Sequence, residues 1–342
     1  MNNIEECKDI IVSTRIRLAR NLKDYPFPDR LRSLSRYDEM NRIDELVRNA
    51  ISKGNSVLSD KFKYIDMSKL DRTSALSLVE YHLVSPQFVE EKGGALLLID
   101  DKSVSIMINE EDHLRIQVMK SGLSLESAYD MADKIDTLLD QELNFAFDKK
   151  LGFLTQCPTN LGTGMRASVM LHLPMLKYNK TISEISNRLS KLGFTIRGTY
   201  GEGSTSIGAL YQLSNQVTLG ITEEESVKNL KDVALNLIEL ERNLREKVKT
   251  DINVLDRIHR SYGILNNARL IDEEEFMNCI SNVRLGISIG EINSIDYDKI
   301  NYMIDNSQSA NLIKNNNMSS EEDISSKLID EMRANFARNM LK

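Results

Sequence analysis

Three separated stretches of this chain alternate polar and apolar residues with a period of two, and each places arginine on its polar side. Val12-Ser13-Thr14-Arg15-Ile16-Arg17-Leu18 sets Ser13, Arg15 and Arg17 against Val12, Thr14, Ile16 and Leu18. From Asn109 to Val118, Glu111, His113, Arg115 and Gln117 oppose Leu114, Ile116 and Val118. From Arg166 to Leu173, Arg166, Ser168 and His172 oppose Ala167, Val169, Leu171 and Leu173. Such alternation belongs to β-strands, so the chain is expected to build a sheet with one apolar and one charged face. A strand buried on one side can hold carboxylate, imidazole and guanidinium groups rigidly on the other. A solvated face with chance charges is the plain alternative for any one stretch, and the recurrence of arginine argues against it. A fourth stretch, Arg197-Gly198-Thr199-Tyr200-Gly201-Glu202-Gly203-Ser204, is a glycine-rich loop carrying one arginine and one carboxylate.

Arginines repeated on one face repel each other and imply an anion, and the planar guanidinium fork suits phosphate oxygens. The chain has 44 Lys plus Arg against 51 Asp plus Glu, a formal charge of -7, which is the wrong sign for a nucleic-acid backbone binder. A small polyphosphate in a local basic pocket fits better. No Gly-x-x-x-x-Gly-Lys-Ser/Thr stretch and no protein-kinase glycine loop is present. Gly162 and Gly164 serve either a close approach of backbone amides to phosphate or a structural turn before Arg166. Cys157, before Pro158, reads by itself as a packing residue. With Cys7 and Cys279 it has neither disulfide nor zinc spacing, so no metal site is expected.

The 342 residues, 41% hydrophobic, suffice for one larger and one smaller domain. Residues 36–92 read mainly as helix ended by Gly93-Gly94, followed by strands at Ala95–Ile99 and Val104–Ile108 around a turn at Asp100-Asp101-Lys102. Helical spacing returns over 124–147 and near 181–192, and Tyr211–Leu219 reads as a strand. Thr222-Glu223-Glu224-Glu225 has capping-box spacing before a long amphipathic helix. Beyond it Val254–Tyr262, Glu273–Leu285 and Asp323–Leu341 are candidate helices, with Asn315-Asn316-Asn317 a loop. A boundary near 245 separates domains at 1–245 and 246–342; the second shows no catalytic constellation and suits packing, oligomerisation or partner binding. The absence of an apolar run of about 20 residues and of a signal-peptide pattern points to a cytoplasmic protein without a membrane span.

These segments resemble the phosphagen kinase family, and more closely its bacterial offshoot, the protein arginine kinases. The resemblance rests on four motifs in family order across roughly residues 10 to 220: Ser13-Thr14-Arg15-Ile16-Arg17, Asn109 to Arg115, Cys157-Pro158-Thr159-Asn160-Leu161-Gly162-Thr163-Gly164-Met165-Arg166-Ala167-Ser168, and Arg197 to Glu202. It implies an α+β fold: a guanidino-kinase catalytic domain, with a large antiparallel sheet flanked by helices, followed by a small all-helical C-terminal domain. It assigns ATP phosphate contacts to Arg15, Arg17, Arg115, Arg166 and Arg197. Further nucleotide contacts extend over Ser13, Thr14 and Ile16, over Ala167, Ser168, Val169 and Met170, and over Gly198, Thr199, Tyr200, Gly201 and Glu202. His82, by itself an ordinary capping or core histidine, joins them by resemblance alone. Glu111 and Glu202 match the carboxylates that grip the acceptor guanidinium, and Cys157 the active-site cysteine.

The expected reaction is ATP-dependent transfer of the γ-phosphoryl group to arginine side chains of proteins, with Mg2+ held mainly through the nucleotide. A guanidinium with a pKa above about 12 is a poor nucleophile until a carboxylate aligns it and takes a proton as the bond forms. Only twelve residues precede Ser13, where metabolite kinases of the family carry a helical cover, so the acceptor site is expected to admit an arginine projecting from a polypeptide. The tail resembles a dimerisation and regulatory domain whose family motif, Arg-Asp-x-x-Arg-Ala, binds phosphoarginine. Here Ile329-Asp330-Glu331-Met332-Arg333-Ala334 keeps Asp330 and Arg333 as allosteric candidates but lacks the first arginine, which predicts weakened binding. The resemblance further implies a homodimer in a stress response, a zinc-containing activator protein, a repressor client and a AAA-type unfoldase and protease. The alternatives are a free-arginine phosphagen kinase and a nucleotide-binding regulatory adaptor.

Overall fold

The first arginine stretch forms β1 (Ile11–Arg20), the earliest strand among the described residues, yet it lies in the middle of the sheet. The computed structural model describes residues 7–53, 59–91, 94–198, 206–318 and 324–342. Around β1 stand β2 (Phe62–Asp66), β3 (Ala95–Ile99), β4 (Val104–Ile108) and β5 (Leu114–Ser121) on one side. On the other are β8 (Met165–His172), β9 (Phe194–Gly198) and β10 (Leu210–Asn215), while β6 (Phe147–Asp148) and β7 (Gly152–Phe153) make a separate hairpin. The eight-stranded sheet runs β2-β3-β4-β5-β1-β8-β10-β9 and is antiparallel throughout.

One face is apolar, as the alternation requires. Ile16 and Leu18, Ile116 and Val118, and Ala167, Val169 and Leu171 pack in one core with three helices. These are α2 (Tyr37–Lys53), α5 (Leu125–Asp140) and α8 (Glu223–Val248), the last opened by the expected capping box at Thr222 and Glu225. The short α1 (Pro28–Ser33) precedes α2. The opposite face is covered only at its flanks. Toward β3 and β4, α3 (Arg72–Glu80) and α4 (Pro86–Glu90) bring Leu78, Leu83 and Phe88 onto Leu96 and Met107. Toward β8 and β10, the covering comes from the far end of the chain, after α6 (Pro174–Tyr178) and α7 (Ile182–Lys191). There α9 (Ile252–Asn267), α10 (Glu273–Ile289), α11 (Tyr297–Asn306) and α13 (Ser326–Leu341) build a second core that also takes in Leu210 and Met170, and α12 (Ser309–Asn315) packs on α3 and α13.

Several expectations need correction. Residues 36–92 are not mainly helical: the edge strand β2 interrupts them, and Gly93 lies outside the described residues. The helix expected over 124–147 ends at Asp140, and the strand from Tyr211 ends at Asn215. In the tail α11 and α12 went unread, and Asp323, the expected start of the last helix, lies outside the described residues. A register shift between Ile11 and Ser13 turns Val12 toward the second core, away from the face of Ile16 and Leu18. Among the described residues no helix is long and apolar enough to cross a membrane.

Buried polar contacts join these layers. Arg245, near the end of α8, donates to the His172 carbonyl at 2.9 Å, to Ser288 Oγ at 2.8 Å and to Glu241 Oε1 at 3.0 Å. Glu241 in turn accepts from the amides of Met175 and Leu176, the first turn of α6. Arg245 can only donate, so His172 Nδ1 accepts and Nε2–H donates to Ser281 Oγ of α10 at 2.8 Å. His113 is fixed similarly, with Nδ1 accepting from Leu22 N at 3.0 Å and Nε2 donating to Pro26 O at 2.9 Å. Burial pushes the His113 pKa down to about 4, and burial with the Arg245 and Arg284 charges holds His172 well below its usual range.

Because both rings are neutral when folded and titrate near 6.5 when unfolded, the unfolded chain binds the extra protons as pH falls. Stability is therefore complete above pH 6.5 and should decline, for His113, between 6.5 and about 4, by up to about 1.4 kcal/mol per pH unit for each histidine. Denaturant unfolding at stepped pH checks this, and His113→Asn should flatten the slope; an unchanged slope would remove His113 from the account.

Candidate active site

The register across β5, β1 and β8 concentrates positive charge. Arg17 lies opposite Arg166 on one side and Gln117 on the other, Arg15 lies opposite Ser168, and Ala19 opposite Arg115. Arg15 donates to Gln212 Oε1 at 2.9 Å, and Gln212 is the register partner of Arg197. Arg17 Nε is buried and has no hydrogen-bond partner among the described residues. Burial, followed by the charges of Arg115 and Arg166, lowers the Arg15 pKa to about 10. Burial and the Arg15, Arg115 and Arg166 charges take Arg17 well below its usual value, with Glu110 opposing. Guanidinium groups kept this close repel one another, and an anion with several oxygens among them would relieve the repulsion.

The acidic stretch is not a strand. β5 begins at Leu114, and 109–113 is the turn between β4 and β5, with Asn109 at φ 60° and its amide bonded to the His113 carbonyl at 2.9 Å. The expected shared face of Glu111, His113 and Arg115 is replaced by a division of labour within the turn. Glu110, only 5% exposed, accepts from Ser85 Oγ, Arg115 Nη1 and the Glu111 amide. Asp112 accepts from Asn21 Nδ2 at 2.6 Å and from the Gln156 amide at 2.7 Å, tying this turn to the Cys157 segment. Arg32 of α1 donates to the carbonyls of Asn109 and Glu110. Glu111 alone turns outward, its side chain 37% exposed and its Oε2 2.7 Å from Arg115 Nη2. Burial raises its pKa; Arg115 opposes that shift, while Asp112 and Glu110 add to it. His113 is a structural ring, and Glu110, Asn21, Asp112 and Arg32 are supports that no spacing rule singles out.

Between the two flanking covers the arginine face opens into a cleft of about 1210 Å3 lined by Ser13, Arg15, Arg17, Arg115 and Met170. His82 also lines it, at φ 58°, with its carbonyl accepting from Gln117 Nε2 at 2.8 Å. Enclosure by the cleft and the Arg15 charge lower the pKa of its solvent-facing ring. The side chains of Thr14, Ile16, Ala167 and Val169 are buried on the helix-covered side, so their part is to set the strands. Ser168 is buried beside the Arg15 carbonyl, which its Oγ reaches at 3.4 Å, and Gly198 ends β9. Thr199, Tyr200, Gly201 and Glu202, with the rest of that glycine-rich loop, lie outside the described residues.

Of the two readings of the glycine pair the structure takes the turn. A Cβ on Gly162 would meet the Thr218 carbonyl at 2.2 Å and one on Gly164 the Ala19 carbonyl at 2.7 Å, so both pack on backbone. Cys157 is half-buried ahead of Pro158, its Sγ 3.0 Å from Thr159 Oγ1. In the tail, Arg333 is buried and donates to Asp330, to the Ile271 and Ser307 carbonyls and toward Ser309. The tail also does what its sequence does not announce: Met277, Tyr302 and Asp305 line the cleft. Glu80 of α3 accepts from the amides of Ala310 and Asn311, so the two covers meet beside it.

An antiparallel sheet with arginines on its open face and an acidic turn beside them suits phosphoryl transfer, and comparison with known proteins gives the class, the guanidino phosphotransferases. Residues 42–244 match the family described as ATP:guanido phosphotransferase, C-terminal catalytic domain, and residues 251–342 match the protein-arginine kinase McsB C-terminal domain. A protein-arginine kinase of Caldanaerobacter subterraneus is 47% identical over 90% of this chain and 90% of its own length. Another, of Clostridium acetobutylicum, is 44% identical over 94% of this chain and 95% of its own. This chain thus belongs to the protein-arginine kinase family. Among solved structures, the duplicated taurocyamine kinase of Schistosoma mansoni with bound transition-state-analogue components superposes with a TM-score of 0.63 at 29% identity. That match covers 77% of this chain and 38% of the other. Lombricine kinase shares the fold at TM-score 0.61 and 24% identity, covering 70% and 68% of the two chains.

Replacing Arg17 should expose the conflict between stability and binding on this face. Arg17→Met is expected to raise stability without ligand by about 1 kcal/mol, because one repelling charge is removed, and to abolish the stabilisation that tripolyphosphate confers on the unaltered protein. Denaturant titrations with and without the anion measure both; a variant still stabilised by tripolyphosphate would place the anion elsewhere.

Proposed function

We propose that the cleft binds ATP with its polyphosphate on Arg15, Arg17, Arg115, Arg166 and Arg197, and that the γ-phosphoryl group passes to an arginine side chain of a protein. The observation that carries this reading is the 2.7 Å contact of Glu111 with Arg115, which sets an outward-facing carboxylate directly against a phosphate-binding guanidinium. When phosphate oxygens take over Arg115, Glu111 is released toward a second guanidinium, that of the acceptor. A nitrogen of the acceptor attacks the γ-phosphorus, the bond to the β–γ bridging oxygen breaks with its electron pair leaving on ADP, and the nitrogen's proton passes to carboxylate. Glu202, the second carboxylate of the proposal, lies outside the described residues. Among the described residues no three His, Cys, Asp or Glu side chains gather as metal ligands, so magnesium would be held by the nucleotide's phosphates. There it would neutralise charge on the transferring oxygens.

The protein-directed acceptor is supported by the relatives' name and by the match of the helical tail, whose start we place near residue 245, within α8. Cytoplasmic clients passed to a AAA-type unfoldase and protease, relief of a stress-response repressor, a zinc-containing activator and a homodimeric enzyme complete the proposal, supported by family resemblance. At the tail, Ile329 leaves Arg333 and Asp330 without the second arginine fork, and Arg333 already bonds carbonyls of the fold, which favours weakened phosphoarginine binding.

Glu111→Gln is expected to keep ATP binding and lower transfer at least about 100-fold. In the unaltered enzyme, transfer should fall off on the acid side at a pH above the ordinary glutamate value of 4.5, because burial raises the Glu111 pKa. Rates measured with ATP and either free arginine or an unfolded basic protein test the acceptor. Preference for protein-held arginine supports the proposal, product on free arginine alone favours a metabolite kinase, and ATP binding without transfer to either favours an adaptor.

A further inference from the structure

The cleft is longer than the arginine cluster needs. From Arg17 to Ser13 its β1 wall advances roughly 13 Å at about 3.3 Å per residue, and on β5 it runs from Arg115 as far as Ser121. The arginines gather toward Arg17 and Arg115, and the charges toward the other end are those of Asp101, Lys102, Lys120 and Asp305. The other end is built differently: Val12, Met170 and Leu210 join the second core there with Met277 of α10. The β3–β4 turn marks the same end of β5, since the Met119 amide donates to the Ser103 carbonyl at 2.8 Å. Beside that turn, Lys102 Nζ sits 3.1 Å from the Tyr81 ring centroid, and Tyr81 OH donates to Asn306 Oδ1 at 2.8 Å, which fixes the end of α11 over the cleft. Tyr302 and Asp305 of α11 line the cleft, and the Asp305 carboxylate lies within reach of the Lys102 charge.

Methionines and an aromatic ring, with the Asp305 carboxylate beside them, suit a nucleoside: a flat base against soft side chains and vicinal hydroxyls that donate. We propose that α11 of the helical tail completes the nucleotide site, with Asp305 accepting from the ribose hydroxyls and Tyr302 and Met277 walling the base. This rests on the ATP reading above and assigns to the tail a direct part in nucleotide recognition. The phosphates are gripped by the sheet, and the nucleoside by the helices that cover it.

Calorimetric titration of the full chain with ATP, 2′,3′-dideoxy-ATP and tripolyphosphate tests it. Asp305→Ala should weaken ATP about tenfold or more, the scale of a hydrogen bond to a charged group, and leave tripolyphosphate unchanged, which also reports an intact fold. Dideoxy-ATP, which lacks the donors, should bind the unaltered protein and Asp305→Ala equally. Tyr302→Ala should weaken both nucleotides and spare tripolyphosphate. If both variants bind ATP normally while Arg17→Met loses ATP and tripolyphosphate, the nucleoside lies elsewhere and the ATP reading stands. If Arg17→Met binds ATP as the unaltered protein does, that reading and this one both fall.

Discussion

Repulsion among Arg15, Arg17, Arg115 and Arg166 is the constraint around which the open face is organised. It arises from topology: the first strand is inserted between two later ones, so guanidinium groups from positions 15–17, 115 and 166 become neighbours in register. A sheet face carrying this much like charge cannot be sealed by an apolar layer. The covers therefore stop short of it, α3 and α4 on one flank and the helical tail on the other, and a cleft remains. An ATP polyphosphate would relieve that repulsion, so the same arginines that cost stability would define the substrate.

The acidic turn solves the complementary problem. Carboxylates beside an arginine cluster tend to neutralise it and occupy the phosphate site. Here Glu110 is held inward by Ser85, a backbone amide and Arg115, and Asp112 by Asn21 and Gln156, while Glu111 faces out. In the proposed mechanism Glu111, the outward-facing carboxylate of this turn, exchanges Arg115 for an acceptor guanidinium. The Asp112–Gln156 bond also carries the position of this turn to the Cys157 segment, so the acceptor side is one braced unit.

The strands β1, β5 and β8 were legible because burial on one face alone writes a period-two pattern into the residues, and four motifs in order made the family legible. The pattern misled at 109–113, where turn residues carry polar side chains at strand spacing, and a left-handed Asn109 is what breaks the strand. It also could not separate Glu110 from Glu111, since adjacent identical residues differ only in where the turn points them. β2 was missed because this edge strand exposes the consecutive Lys63 and Tyr64, which point to opposite faces, and so shows little alternation. The tail's place in the cleft was invisible for another reason: contacts such as Glu80 with Ala310 join residues 230 positions apart and leave no local trace. Glu202, assigned by resemblance, has no structural counterpart among the described residues.

The central claim is chemical: phosphorus moves from an anhydride oxygen to a guanidinium nitrogen on this face. The most direct measurement is phosphorus NMR of the product formed from ATP and an arginine-bearing unfolded protein, followed through acid and alkali treatment. The account predicts a new resonance from nitrogen-bound phosphorus, lost in acid, retained in alkali and absent when the client's arginines are replaced by lysine. An acid-stable phosphoester, or the same product from the lysine-substituted client, would contradict it.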